Sequence, residues 1–313
     1  MKTSFSLIAA LGFASVASAA DYSVYITGST AGRASVHTSI QALLTSPVTT
    51  ANNATLGSAG KANFVGTIGS DTVTVYCAWS GSAEGVQALD QNLDVTFMAE
   101  TGGGTVITPT NLVHKADIAF SDVFQSSTIY NANALGDTST IVLPFRFYSS
   151  EGSPLTNVTS AHMRALFGVG IQPLATLTGN SAHRSAAVVA TGRNNQSGTR
   201  ITTMAEIGYG VFNNVIQYKP TITGAEPTAN AAAMTNVANG GESSGGTVAG
   251  NLSCTTTGLS ATVFGSTYTP CYFVGYVGLS DGTTAANNGA AALNYNGVAY
   301  GADAVREGSY TLW

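Results

Sequence analysis

Charged side chains are scarce in this sequence, because Asp, Glu, Lys and Arg together make up only 9% of the chain. The formal net charge is −5. Nucleic acids and anionic lipids both need a basic protein face, so we expect neither as a partner. Any anion that this protein holds must be bound by a local group of donors. Apolar residues amount to 44%, which is enough to build a core and argues against a disordered chain.

Long apolar runs are missing beyond the first residues. Lys2 precedes an apolar stretch over residues 5–16, and Ala17-Ser18-Ala19 then has the small side chains that signal peptidase recognises. The stretch is shorter than the roughly 20 apolar residues that span a bilayer. We therefore predict that residues 1–19 are a signal peptide. The mature chain is then expected in the periplasm, or extracellular or at the cell surface, without membrane insertion.

Cysteine is rare, with three residues in the chain. Export permits a disulfide, and Cys254 and Cys271 bracket a Thr/Ser/Gly-rich segment, so we predict that they pair. Closing a loop of that size would stabilise the fold by about 3 kcal/mol. Cys77 lies in an apolar strand pattern and is predicted to be a buried free thiol. No Cys-x-x-Cys or His–Cys spacing indicates a metal, and we expect no cofactor.

Short β-branched runs alternate with stretches of helical periodicity along the chain. This alternation is typical of an α/β fold with mostly parallel sheets. Residues 226–270 have little pattern and many Gly, Asn, Ser and Thr residues, so they are predicted to be a surface insertion. The predicted strands are 22–27, 72–78, 117–120, 140–148, 185–190 and 271–279, and the predicted helices are 33–44, 84–89, 160–167 and 199–209.

Four turns between a strand and the following segment carry hydroxyls or glycines and could hold an anion. They are residues 26–33, 79–85, 119–122 and 191–200. The free N–H groups at a helix start, together with Ser or Thr hydroxyls, form a site for anions. The first and third turns are also compatible with ordinary helix capping.

The fourth turn is the most specific of the set. Arg193 supplies a planar fork that suits a tetrahedral oxyanion, and Ser197-Gly198-Thr199 opens a predicted helix four residues later. The alternative interpretation is a turn that carries a surface arginine.

These turns resemble those of the phosphate-binding proteins of ABC importers, in the type II periplasmic binding-protein superfamily. The resemblance rests on residues 27–31, residues 80–82, Ser121-Asp122, Arg193 with residues 197–199, and a Gly-Tyr strand at residues 272–277. It implies a two-lobed α/β fold with a ligand cleft between the lobes. Lobe one would span residues 20–140 and lobe two residues 141–279. Residues 280–313 would be a shortened return to lobe one.

The resemblance also implies roles for single residues. Thr30, Ala31 and Ser82 would donate hydrogen bonds to phosphate oxygens, and Arg193 would pair with them. Asp122 would accept the proton of a protonated phosphate, whereas ionised sulfate has no proton to offer and would be repelled. Further hydroxyl and backbone donors would come from Ser197, Gly198 and Thr199.

The resulting hypothesis is an exported, non-enzymatic protein that captures a small oxyanion, above all phosphate, for the membrane subunit of an ABC importer. The alternative is a secreted or cell-surface structural or adhesive protein that keeps the fold without the ligand. An enzyme is not indicated. Ser58-x-x-Lys61 lacks its partner Lys-Thr-Gly motif, and the four histidines are scattered.

Overall fold

The structure is a computed structural model that describes residues 19–225, 229–263 and 265–313. The predicted signal peptide therefore lies outside the described residues, except for its last residue. Within the described ranges, no helix is both long enough and apolar enough to cross a bilayer.

The first lobe is built on a mixed sheet with two helices. Its strands are β1 (Asp21–Gly28), β2 (Thr45–Ala51), β3 (Lys61–Ile68), β4 (Asp71–Trp79), β5 (Asp94–Met98), β6 (Gly104–Thr105), β7 (Asn111–Lys115) and β8 (Ile118–Phe120). Its helices are α1 (Arg33–Leu43) and α2 (Ser82–Asp90). The sheet order is β6-β2-β3-β4-β1-β8, and β5 and β7 form a separate antiparallel pair.

Three neighbouring strands of this sheet end at the same level. β1 runs parallel to both β4 and β8, and Gly28 lies opposite Trp79 on one side and Phe120 on the other. Gly28 has φ +114°, and a Cβ there would overlap the carbonyl of Phe120. A glycine is therefore required at this close approach. The common end point brings the turns after the three strands to one edge of the sheet.

The second lobe contains a second mixed sheet with order β11-β12-β17-β9-β18. Its strands are β9 (Phe145–Ser149), β10 (Asn157–Val158), β11 (Ile171–Pro173), β12 (Ala187–Ala190), β13 (Tyr218–Thr223), β14 (Asn230–Asn236), β15 (Ala261–Val263), β16 (Ser266–Tyr268), β17 (Cys271–Gly278), β18 (Ala291–Ala292) and β19 (Asn294–Tyr295). Its helices are α3 (Ser160–Val169), α4 (Leu174–Thr178), α5 (Gly198–Glu206), α6 (Gly245–Ser253), α7 (Leu279–Asn287) and α8 (Ala302–Arg306).

Two α/β lobes were predicted, and the fold class is confirmed. Parallel pairing was expected over most of both sheets, but fewer pairs of strands are parallel than predicted. It joins β4, β1 and β8, β2 with β6, and β12 with β17, whereas β3, β9, β11 and β18 pair antiparallel. Short connections join β2 to β3 and β3 to β4, and a short hairpin allows only antiparallel neighbours. β9 instead pairs with β17 and β18, which are distant in sequence.

The segment 226–270 is not a surface insertion, which corrects the prediction. Apart from residues 226–228 and 264, which are not described, it forms strands and α6. Val248 and Leu252 on α6 are fully buried beneath β17. The apolar residues of α6 are spaced among Gly, Asn and Ser, and this mixture concealed an internal helix.

The C-terminal residues pack into the second lobe rather than the first. Tyr310 and Leu312 are fully buried in its core. The Tyr310 hydroxyl donates to the Phe145 carbonyl at 2.7 Å, and the Phe145 amide donates to the Leu312 carbonyl at 3.1 Å. These contacts fix the last residues beside β9.

The predicted disulfide between Cys254 and Cys271 is not formed. Both side chains are buried in the second lobe, and each thiol donates to a carbonyl three residues earlier, Cys254 to Asn251 and Cys271 to Tyr268. Burial raises the pKa of the Cys271 thiol to about 11. Cys77 is a fully buried free thiol on β4, as predicted.

Candidate functional site

The candidate site lies where the strand ends of the first lobe meet the start of α5 in the second. Thr30, Ser82 and Asp122 follow β1, β4 and β8, so the parallel register of these strands brings them together. Arg193 and Gly198 come from the segment that follows β12. We call this region the cleft site.

Arg193 is the buried cation of the cleft site, with only 3% of its surface exposed. Its Nη2 donates to the Thr30 hydroxyl across the lobe boundary at 3.2 Å, and also to the Ser243 carbonyl at 2.9 Å. Its Nε donates to the Glu242 carbonyl at 3.2 Å. In the described residues no carboxylate oxygen lies within 4.0 Å of this guanidinium. The charge is therefore fixed in place by neutral acceptors.

The orientation of Arg193 depends on residues 226–270, the segment that was predicted to be an insertion. Glu242 is buried, its carboxylate contacts Lys219 Nζ at 3.0 Å, and it accepts a hydrogen bond from Asn251 at 3.0 Å. The Glu242 amide donates to the Gly192 carbonyl at 2.8 Å. Because Glu242 is anchored, its own carbonyl and that of Ser243 are held in place, and these two carbonyls orient the Arg193 guanidinium.

Asp122 is the carboxylate of the cleft site and lies at the N-terminus of α5. It accepts hydrogen bonds from the Ser82 hydroxyl and, at 3.1 Å, from the Thr199 hydroxyl. A Cβ on Gly198 would overlap this carboxylate, so only glycine allows the close approach. An anionic group at the start of a helix is stabilised by the free amides and the helix dipole.

Two of the predicted donors are engaged within their own turns. The Ala31 amide donates to the Ser29 hydroxyl at 3.2 Å. The Ser197 side chain caps α5 by accepting from the Arg200 amide at 3.4 Å. The structure therefore brings together Thr30, Ser82, Asp122, Arg193, Gly198 and Thr199, whereas Ala31 and Ser197 shape the turns beside them.

Sequence reasoning missed a further carboxylate near Arg193, that of Asp281. Asp281 lies in the first turn of α7, where a Cβ on Gly245 at the start of α6 would overlap its carboxylate. Burial raises the pKa of Asp281, and the positive charges of Arg33 and Arg193 oppose that shift. Burial likewise lowers the pKa of Arg193, opposed first by Asp122. The feature of the sequence that could have identified Asp281 was its position just after β17.

The cleft is closed in this structure by direct contacts between the lobes. The Ala83 amide at the start of α2 donates to the Gln196 carbonyl at 3.0 Å, and the Gln196 side chain donates to the Tyr130 hydroxyl at 2.7 Å. Apolar contacts add to these, because Ala83 and Val86 pack in one cluster with Ile201 of α5. In the described chain a single segment, residues 121–144, connects the two sheets.

Lys61 of the Ser58-x-x-Lys61 motif makes structural contacts in the first lobe. Lys61 Nζ donates to the Phe97 carbonyl and to Asn111 Oδ1, each at 3.3 Å. His37 is bound by Trp79 and by the Leu56 carbonyl in the core of the first lobe. Among the described residues, no group of three or more His, Cys, Asp or Glu side chains could hold a metal ion.

The chain is similar to solved structures of two bacterial proteins. One is assigned as a phosphate ABC transporter substrate-binding protein, from Clostridium perfringens with bound phosphate. It has 15% identity and a TM-score of 0.49 over 93% of this chain and 82% of that chain. Another is PstS from Borrelia burgdorferi, with 14% identity and a TM-score of 0.37 over 93% and 83% of the two chains.

No family model and no curated protein matches the chain. At this level of identity the ligand has to be inferred from the side chains of the cleft site themselves.

Proposed function

We propose that this protein is an exported solute-binding protein that captures phosphate in the cleft site. The observation that carries the proposal is Arg193, a buried guanidinium at the lobe boundary without a carboxylate within 4.0 Å in the described chain. A buried charge is costly unless it is paired, and an oxyanion would supply the missing partner.

The surrounding groups suit a tetrahedral oxyanion. Hydroxyls from Thr30 and Ser82 approach from the first lobe, while the Thr199 hydroxyl and the amides at the start of α5 approach from the second. Donors from several directions can each take a different oxygen of a tetrahedral anion. The guanidinium fork adds the charge-assisted contact.

Asp122 makes the site selective for an oxyanion that carries a proton. In the ligand-bound site, a phosphate P–OH would donate to Asp122 and replace a protein hydroxyl, which would then turn toward a phosphate oxygen. Sulfate is fully ionised near neutral pH and has no proton for this contact, so the carboxylate repels it. No bond of the ligand is made or broken.

Capture would involve closure of the lobes around the ligand. The residues that meet at the cleft come from opposite sides of one connecting segment, so opening that connection separates Arg193 from Thr30 and Asp122. A ligand that contacts both lobes favours the closed form because it binds that form better. With residues 1–19 as a signal peptide, the protein would act in the periplasm or outside the cell and deliver phosphate to an importer subunit.

The proposal is tested by isothermal titration of phosphate into the mature protein and into Arg193→Ala. We expect affinity to fall between about thirtyfold and several thousandfold, since removing a partner of a buried charged hydrogen bond costs about 2–5 kcal/mol. Arg184→Ala is the matched control, because Arg184 is on the surface of the same lobe and its Nε donates only to a local carbonyl. Unchanged affinity in Arg193→Ala would refute the site. No heat with the parent protein at millimolar phosphate would instead favour the structural or adhesive alternative.

A further inference from the structure

A separate cavity of about 220 Å³ lies beside α5, between the two lobes. Ala83 and residues 127–130 form one wall, and residues 195–196, 200–201, 211–214 and 239 form the other. No residue that contacts the side chain of Asp122 or of Arg193 in the cleft site lines this cavity. The function proposed above gives this cavity no role.

Arg200 is the charged residue of this cavity, and it is only 2% exposed. Its Nη1 donates to the Asn239 carbonyl at 3.2 Å, and its Nη2 donates to Asn239 Oδ1 at 2.6 Å. In the described part of the chain, no carboxylate lies within 4.0 Å of the guanidinium. A second buried arginine therefore has neutral acceptors and no counter-charge.

The rest of the lining combines amide groups with apolar side chains. Asn195, Gln196, Asn213 and Asn214 offer donors and acceptors, and Tyr130 contributes a hydroxyl that Gln196 already contacts at 2.7 Å. Two large apolar residues stand at its rim: Ile129 is 70% exposed and Phe212 is 64% exposed. A volume of about 220 Å³ limits the occupant to a small molecule.

We propose that this cavity is a second ligand site, which binds a small organic carboxylate. The carboxylate would neutralise Arg200, the amides would contact its remaining polar atoms, and a short apolar part would lie against the rim. An inorganic tetrahedral anion fits less well, because the cavity offers apolar side chains where such an anion needs donors. Recognition of a charged head and a short apolar tail is what distinguishes this site from the cleft site.

The probe for this proposal is propionate, compared with propionamide, which has nearly the same shape and no charge. Binding is followed by ligand-observed NMR with the mature protein in saturating phosphate, so that the cleft site is occupied if the proposed function holds. We expect propionate to bind at millimolar concentration and propionamide at least tenfold more weakly. Equal binding of the two, or binding of neither, would overturn the proposal.

Variants then locate the bound probe. Arg200→Gln should weaken propionate binding at least tenfold. Because Arg200 also holds Asn239 and could be needed for folding, Asn195→Asp provides a second test. Asn195 is exposed at the cavity, and its side chain forms no hydrogen bond in the described residues. A carboxylate there should repel propionate and weaken binding about tenfold, whereas the neutral control Asn195→Ser should not.

The cleft variant separates this proposal from the first one. Propionate binding that persists in Arg193→Ala supports an independent cavity site, even if phosphate binding is lost or was never present. Binding that disappears in Arg193→Ala but survives in both Arg200→Gln and Asn195→Asp would place propionate in the cleft and refute the cavity site.

Discussion

The two lobes bring opposite chemistry to the cleft site. The first lobe provides Asp122 and the Thr30 and Ser82 hydroxyls from turns after strands that end in register. The second lobe provides the Arg193 guanidinium and the start of α5. In the proposed function, the second lobe would attract the anion by its charge, and Asp122 of the first lobe would reject an anion without a proton. Changes in the two lobes should accordingly separate affinity from selectivity.

The start of α5 should be the most sensitive position after Arg193. In Gly198→Ala the added methyl group overlaps the Asp122 carboxylate, so the lobes cannot close to the same distance. Overpacking of this kind costs about 1–3 kcal/mol, and we expect phosphate affinity to fall about thirtyfold in calorimetric titration.

The control for this change is another glycine at a helix start. A Cβ on Gly246 in α6 would meet Asp281 at 3.6 Å, an ordinary contact distance. Gly246→Ala should therefore leave phosphate affinity within twofold of the parent protein. If both variants behave alike, the close approach of Asp122 to α5 does not matter for binding.

Low pH should lower the stability of the first lobe through His37. Trp79 Nε1 donates to His37 Nε2 at 2.8 Å, and His37 Nδ1 lies 3.0 Å from the Leu56 carbonyl, so the ring is held neutral. Burial lowers the pKa of His37 from 6.5 to about 4. Between these values the unfolded chain binds a proton that the folded chain does not, so stability falls as the pH falls from 6.5 toward 4.

The size of this effect can be measured by urea unfolding. At pH 5 the His37 contribution to the free energy of unfolding should be about 2 kcal/mol lower than at pH 7.5. Gln at position 37 does not titrate, so the pH dependence of His37→Gln should be flatter by that amount. Parallel pH dependences in the two proteins would show that His37 is not protonated differently on unfolding.

The preference for phosphate over sulfate should change most in Asp122→Asn. The amide keeps the size of the carboxylate and loses the charge that repels sulfate, and its NH₂ can donate to a fully ionised oxygen. We expect the ratio of phosphate to sulfate affinity to fall about tenfold, measured by paired titrations at neutral pH. Asp137→Asn, which changes an exposed carboxylate between the lobes, is the control. A ratio that stays constant would remove Asp122 from the selection of the ligand.

The predictability of the site differs between the lobes for a physical reason. The strand-end turns of the first lobe could be identified from sequence, because parallel strands place consecutive turns at one edge. Arg193 and α5 were identified by a short motif. The carbonyls of Glu242 and Ser243 and the carboxylate of Asp281 were not, since their positions depend on contacts with residues distant in sequence. The helix α6 was missed because its apolar positions are separated by Gly, Asn and Ser.

The contact that joins the lobes most directly should have the smallest effect. Thr30→Val keeps the shape of the side chain and removes the hydroxyl to which Arg193 Nη2 donates at 3.2 Å. The same nitrogen also donates to the Ser243 carbonyl at 2.9 Å, so the guanidinium keeps its orientation. A net loss of about 1 kcal/mol, or roughly fivefold in phosphate affinity, is expected. A loss as large as that in Arg193→Ala would mean that the first lobe, rather than the second, controls how the guanidinium is presented to the ligand.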